Sequence, residues 1–144
     1  MKIDDLVSSW KQDINIDVTD LANESIKIPK LHAKYYELLI NENLLYSKLE
    51  KDYYKLRKIK TEYYTGRLDD DALSKNNWEP FQLKVLKQDV DTYLQADDDI
   101  IKHLLNLALQ KEKVDFLKEI IKQLNTRTFL IKNSLEFLKF SSGF

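Results

Sequence analysis

The run from Pro29 to Thr65 contains no glycine and no further proline, and its apolar residues recur at alternating spacings of three and four. Taking Leu31, Leu38, Leu45, Asp52 and Ile59 with Tyr35, Glu42, Leu49, Leu56 and Tyr63, eight of ten seam positions are apolar. That period keeps one stripe on one face of a helix, so the run predicts a long helix packed lengthwise against others. A second seam spans residues 103 to 140, where Leu107, Val114, Ile121, Thr128 and Leu135 alternate with Gln110, Leu117, Leu124, Ile131 and Leu138. Eight of those ten are apolar as well. The β-branched residues and asparagine of "NTRTFLI" allow a bend or break near Asn125 to Thr128.

The expected fold class is all-α, with long coiled-coil-like helices forming an oligomeric helical assembly. Only Gly66, Gly143, Pro29 and Pro80 punctuate the chain, which disfavours many short strands. A length of 144 residues, 43% apolar and 33% charged, suits a single domain, 1–144. Two seams of this length are hard to bury inside one chain of this size, and self-association is the natural outlet. An antiparallel monomeric bundle is the alternative, since heptads occur in ordinary bundles too.

Within this frame, residues 3 to 13 read as a short amphipathic helix carrying Ile3, Leu6, Val7 and Trp10, ended by "NIDVTD". Thr19 or Asp20 can cap the succeeding segment, and Pro29 fits the first turn of the next helix. Gly66 fits a left-handed stop. The N-terminal half is thus 1–66 and carries the basic helix. A polar loop, "RLDDDALSKNN", fills 67–79, and a second half runs over 80–144. There Leu83, Leu86, Val90 and Leu94 share a helical face, and "ADDDIIKHLLNLALQ" opens a further helix with acids in its first turn.

Several function classes are excluded or disfavoured. The chain has no cysteine, which removes disulfides, thiol catalysis and thiolate metal sites. "MKIDDLVSSWKQD" lacks the apolar stretch of a signal peptide, and no window resembles a membrane span, so a soluble, intracellular protein is expected. His32 and His103 sit outside any metal-binding spacing. The triplets Asp69 to Asp71 and Asp97 to Asp99 lack the glycine and distal glutamate of a calcium loop and fit helix starts better. No nucleophile, base and oxyanion donor can be grouped, so neither an enzyme nor a cofactor or metal is expected.

The basic stretch remains. Lys51, Lys55, Arg57, Lys58, Lys60 and Arg67 face two acids, Asp52 and Glu62, a local balance of 6 − 2 = +4 in a chain whose net charge is −1. At 100° per residue, Lys51, Lys55 and Lys58 share one helical face with Tyr54 beside them, whereas Lys60 lies near the edge of the apolar stripe. Tyr53, Tyr54, Tyr63 and Tyr64 interleave aromatic faces with these cations, a combination suited to single-stranded nucleic acid. A merely solvated lysine face, with tyrosines packed in a core or interface, is the competing reading.

"LRKIKTEYYTGRLDDD" resembles the central motif of the UvsY family of recombination mediators from large tailed bacteriophages, in which a short Lys/Arg motif precedes Tyr-Tyr-Ser/Thr-Gly-Arg and an acidic loop. "MKIDDL" with "KQDINID", and more loosely "VLKQDVDTYLQAD", resemble other parts of that family. The resemblance implies a non-catalytic protein that binds single-stranded DNA and helps load a RecA-like recombinase onto DNA covered by single-strand-binding protein. It implies a ring-like homo-oligomer, hexamer or heptamer, in the cytoplasm of the infected bacterium, with no membrane partner. Where the family reads Lys-Ala-Arg-Leu, this chain has Lys58, Ile59, Lys60 and Thr61. Lys60 keeps the charge and loses the bidentate fork of arginine. Lys58, Lys60, Lys55, Arg57, Lys51, Arg67, Tyr63 and Tyr64 are the implied DNA-binding residues. The carboxy-terminal helices are implied to hold the oligomer, which assigns that role to Val114, Leu117, Ile121, Leu124, Ile131, Leu135 and Leu138. The alternative is a helical scaffold or adaptor that binds only proteins.

Overall fold

The computed structural model describes residues 1–81, 83 and 85–143. Gln82 and Lys84, inside the helix expected after Pro80, and Phe144 lie outside the described residues. The elements are α1 (Ile3–Asp13), α2 (Leu21–Tyr64), α3 (Asp70–Asn76), a 3₁₀ turn (Lys87–Asp89), α4 (Val90–Gln95) and α5 (Asp98–Ser141). No strand occurs among the described residues, and the fold is all-α as the periodicity requires.

Three local expectations are corrected. Pro29 sits well inside α2 rather than in its first turn, because helical pairing starts earlier, with the Glu24 N–H donating to the Asp20 carbonyl at 3.1 Å. Pro29 is exposed, so water can take up the carbonyl that its missing N–H leaves unpaired. Residues 67–79 are not all loop: Asp69 accepts a hydrogen bond from the Ala72 N–H at 2.8 Å and starts α3. The stretch from Pro80 to Leu86 is not a helical face, since Leu83 and Leu86 are exposed while Val85, Val90 and Leu94 are buried. The Val85 N–H instead donates to the Tyr64 carbonyl at 3.1 Å, pinning the segment to the end of α2. Around Asn125 to Thr128 the helix continues without a break.

Packing divides the chain into two compact units that cut across the expected halves 1–66 and 80–144. One is Met1–Leu44 with the chain from Glu112 onward; the other is Leu45–Lys111. In the first, Leu6 and Trp10 of α1 meet Tyr35 of α2 and Leu117, Ile120 and Leu124 of α5. Tyr35, Leu117 and Leu124 are fully buried, and each such leucine contributes about 1.5–3 kcal/mol of transfer free energy. Pairing of Glu24 with Arg127 and of Glu42 with Lys113 sets α2 and α5 antiparallel here. In the second unit, Val85, Val90 and Leu94 pack with Tyr64, Phe81 and Tyr93.

The second seam is therefore largely buried within the chain. Val114, Leu117, Leu124 and Ile131 are buried and Ile121 packs against the first core, so only Leu135 and Leu138 of the seven expected oligomerisation residues are exposed.

Candidate nucleic-acid interface

The end of α2 is fixed by its own backbone. Gly66 has φ +73°, a left-handed conformation that glycine adopts without strain. The Arg67 N–H reaches back to the Glu62 carbonyl at 2.8 Å and the Gly66 N–H to the Tyr63 carbonyl at 3.3 Å, the paired bonds of a Schellman stop. Arg67 is consequently held beside the last turn, while Tyr63 and Tyr64 on that turn face the aromatic core of the unit. Tyr63 lies 5.2 Å from Trp78, and Tyr64 lies 4.9 Å from Phe81 and 5.6 Å from Tyr93. Their hydroxyls are engaged too: Tyr63 donates to the Glu79 carbonyl at 2.5 Å and Tyr64 to Asp97 Oδ2 at 2.6 Å. Both rings are half-buried and packed against other rings.

Lys60 is the main departure from a simple basic patch. It is only 5% exposed, with Nζ 3.1 Å from Asp97 Oδ2 and 2.8 Å from Asp99 Oδ2, and it lies 4.1 Å from the centre of the Trp78 ring. Asp97 also accepts from the Ile100 N–H at 3.0 Å, so one carboxylate caps α5 and binds Lys60 and Tyr64. Burial pushes the Asp97 carboxyl up, but the hydrogen bonds from Tyr64, Ile100 and Lys60 outweigh it and hold it below the ordinary value. Burial, and then donation to Asp97, push the Tyr64 phenol well above its ordinary range. An ammonium so enclosed cannot meet a DNA phosphate without breaking this cluster; Lys60, implied as a DNA contact, is a brace in this structure.

The other cations are exposed. Arg57, Lys58 and Arg67 line one groove of about 560 Å³ together with Tyr54, Thr61, Glu62, Lys87, Val90, Asp91 and Leu94. Lys51 and Lys55 lie on the exposed side of α2 outside that lining. Arg57 Nη2 pairs with Asp91 Oδ1 at 3.1 Å. Tyr54, 59% exposed, is the aromatic side chain of the groove. Lys87 was missed from sequence because its position depends on the Val85 to Tyr64 backbone bond, which no local pattern announces.

The histidines are explained by packing. His103 Nε2 donates to the Leu49 carbonyl at 2.8 Å and its ring stacks on Tyr53 at 6.1 Å; His32 stacks on Tyr36 at 5.7 Å. No group of three or more metal-ligating side chains and no helix long and apolar enough to cross a membrane occurs among the described residues.

The family described as "Recombination, repair and ssDNA binding protein UvsY" matches residues 9–144. The recombination protein uvsY of Enterobacteria phage T4 is 27% identical over 143 residues, covering 99% of each chain. A crystal structure of the bacteriophage T4 recombination mediator protein UvsY, lattice type II, superposes with a TM-score of 0.86 at 25% identity, covering 99% of this chain and 98% of that one. Its lattice type IV form gives 0.85 at 25% identity, covering 97% and 99%. With a groove of exposed cations at the end of its central helix and a family match over nearly its whole length, the chain belongs to the UvsY family of recombination, repair and single-stranded-DNA-binding proteins.

Proposed function

We propose that this protein is a recombination mediator that promotes loading of a RecA-like recombinase onto single-stranded DNA covered by single-strand-binding protein, in the cytoplasm of an infected bacterium. The observation that carries the DNA-binding part is the convergence of Arg57, Lys58 and Arg67 on one open groove, with Lys51 and Lys55 exposed along the same helix. Phosphate contacts from such a groove are sequence-neutral and salt-sensitive. The mediator step rests on the whole-length likeness to the phage T4 recombination mediator.

Self-association into a ring is part of this reading, because a ring sums many modest sites along one flexible strand. It is supported by the apolar side chains left exposed on the last part of α5, among them Phe129, Leu135, Phe137, Leu138 and Phe140. Patches of this kind mark protein contacts in soluble chains. The expected subunit number, six or seven, is open to light scattering; a monomer at working concentration overturns the ring.

Filter binding of polyT at two salt concentrations tests the DNA-binding part. Tight binding that weakens steeply with salt, and weakens further in Lys58→Ala, is expected. An absence of salt-sensitive binding overturns it in favour of a scaffold that contacts only proteins. Stimulation of recombinase ATP hydrolysis on DNA pre-covered with single-strand-binding protein tests the loading step, and an unchanged lag rejects it.

A further inference from the structure

The groove has a second wall. Arg57, Lys58, Thr61 and Glu62 come from α2, whereas Lys87, Val90, Asp91 and Leu94 come from the 3₁₀ turn and α4. Arg67 and Lys87 also border an adjoining hollow of about 390 Å³ with Thr65, Gly66, Val85 and Leu86. The cationic surface thus continues past the end of α2. Both walls are anchored by backbone: the Arg67 N–H to the Glu62 carbonyl at 2.8 Å, and the Val85 N–H to the Tyr64 carbonyl at 3.1 Å. Lys87 therefore has a defined position although it is exposed and makes no ion pair among those found in the described residues.

Asp91 is the feature that a binding groove would not otherwise need. Its carboxylate, 69% exposed, sits 3.1 Å from the guanidinium of Arg57, which is itself 50% exposed. A pair so open to water is weak and readily exchanged. A guanidinium fork accepts a phosphate in the same geometry as a carboxylate.

On the reading that this groove binds single-stranded DNA, we propose that the strand lies between α2 and the 3₁₀ turn. Lys87 supplies a phosphate contact, and Asp91 occupies Arg57 as a stand-in until a phosphate displaces it. The groove then holds four cations, Arg57, Lys58, Arg67 and Lys87, against two acids, Glu62 and Asp91, and binding releases Arg57 from one of those acids. The strand is bound by a site built from both sides of the α2 stop. The buried Lys60 takes no direct part.

Fluorescence anisotropy with a labelled polyT oligonucleotide over a salt series tests this on the full-length protein. Lys87→Gln is expected to flatten the slope of log affinity against log salt by about 0.7 per bound protomer, which is about fivefold weaker binding at 0.1 M salt. Asp91→Asn is expected to act oppositely, tightening binding and steepening the slope, and this gain is expected to vanish in the Arg57→Ala background. All these side chains are exposed, and an unchanged thermal melt confirms that each variant folds. If Lys58→Ala weakens binding while Lys87→Gln and Asp91→Asn do nothing, the two-walled groove is wrong and DNA binding by α2 stands. If the wild-type chain shows no salt-sensitive binding, the functional reading itself fails.

Discussion

Among the described residues each compact unit buries one cation, and the two are used differently. In the unit containing α1, Arg127 is 3% exposed and closes the carboxy-terminal end of that helix. Its Nη1 donates to the Asp13 carbonyl at 2.8 Å, and its Nη2 to the Asn15 carbonyl at 2.8 Å and the Ile14 carbonyl at 3.4 Å, with Glu24 at 3.6 Å. In the other unit Lys60 meets two carboxylates and an indole. The planar fork of arginine can satisfy several carbonyls at once, whereas the compact ammonium suits a cluster of charges. A buried cation in this chain is therefore a fastener, and cations available for DNA are those left outside both clusters.

The largest effect is expected from breaking the first fastener. Arg127→Met leaves three half-buried carbonyls without their donor and the buried Glu24 with Lys27 as its remaining cation, and should cost about 3–5 kcal/mol. Urea denaturation measures it; a loss below about 1 kcal/mol would show that water replaces the guanidinium freely. Lys60→Met should cost less, about 2–3 kcal/mol, because Asp97 keeps Tyr64 and the Ile100 N–H and because Asp99 is 57% exposed. Among molecules that remain folded, Lys60→Met should leave the salt slope of DNA binding unchanged. A slope reduced as much as in Lys58→Ala would mean that Lys60 leaves its cluster to bind DNA.

Acid should weaken the Lys60 cluster through Asp97 and, in the other unit, the contact of Asp13 with Lys34 and Tyr35. Asp97 and Asp13 both titrate below the ordinary 3.8 in the folded chain: burial raises each, and hydrogen bonds, from Tyr64, Ile100 and Lys60 in one and from Lys34 and Tyr35 in the other, outweigh it. The unfolded chain therefore takes up these protons first. Their stabilisation is full well above pH 3.8 and is lost as pH falls through the lower folded values. Asp97→Asn should flatten the acid limb of a stability–pH curve while Asp17→Asn, on an exposed carboxylate, should change it far less. An unaltered limb in Asp97→Asn would break the assignment.

How much of this was legible in the sequence varies with the range of the contacts involved. The first helix, the long central helix and the stop at Gly66 were readable because periodicity, capping and glycine conformation act within a few residues. The helical face expected from Leu83 to Leu94 was misread, since four apolar residues at helical spacing say nothing of the Val85 bond to Tyr64. Charge counting located the basic stretch, and helical spacing set Lys60 apart from Lys58 at the edge of the apolar stripe without showing that Lys60 is buried and Lys58 exposed. That difference rests on Asp97 and Asp99, more than thirty residues away. The same distance hid Lys87 and the Asp91 partner of Arg57, and the seam on α5 gave no sign that α1 and α2 would together pack against its middle.

The smallest effect on stability is expected where the comparison is sharpest between two tyrosines. Tyr64 is hydrogen-bonded to Asp97 and packed among rings, so Tyr64→Phe should cost about 1 kcal/mol through the lost hydrogen bond alone. Tyr54 is 59% exposed and lines the cationic groove, so Tyr54→Ala should leave the melting temperature within error. Its effect should fall on DNA: a base stacked on that ring contributes about 1–3 kcal/mol, sequence-tolerantly and with little change in salt slope, because no phosphate contact is lost. Titration of Tyr54→Ala and Tyr64→Phe against polyT separates the two roles. Unchanged binding in Tyr54→Ala would rule out stacking on that ring.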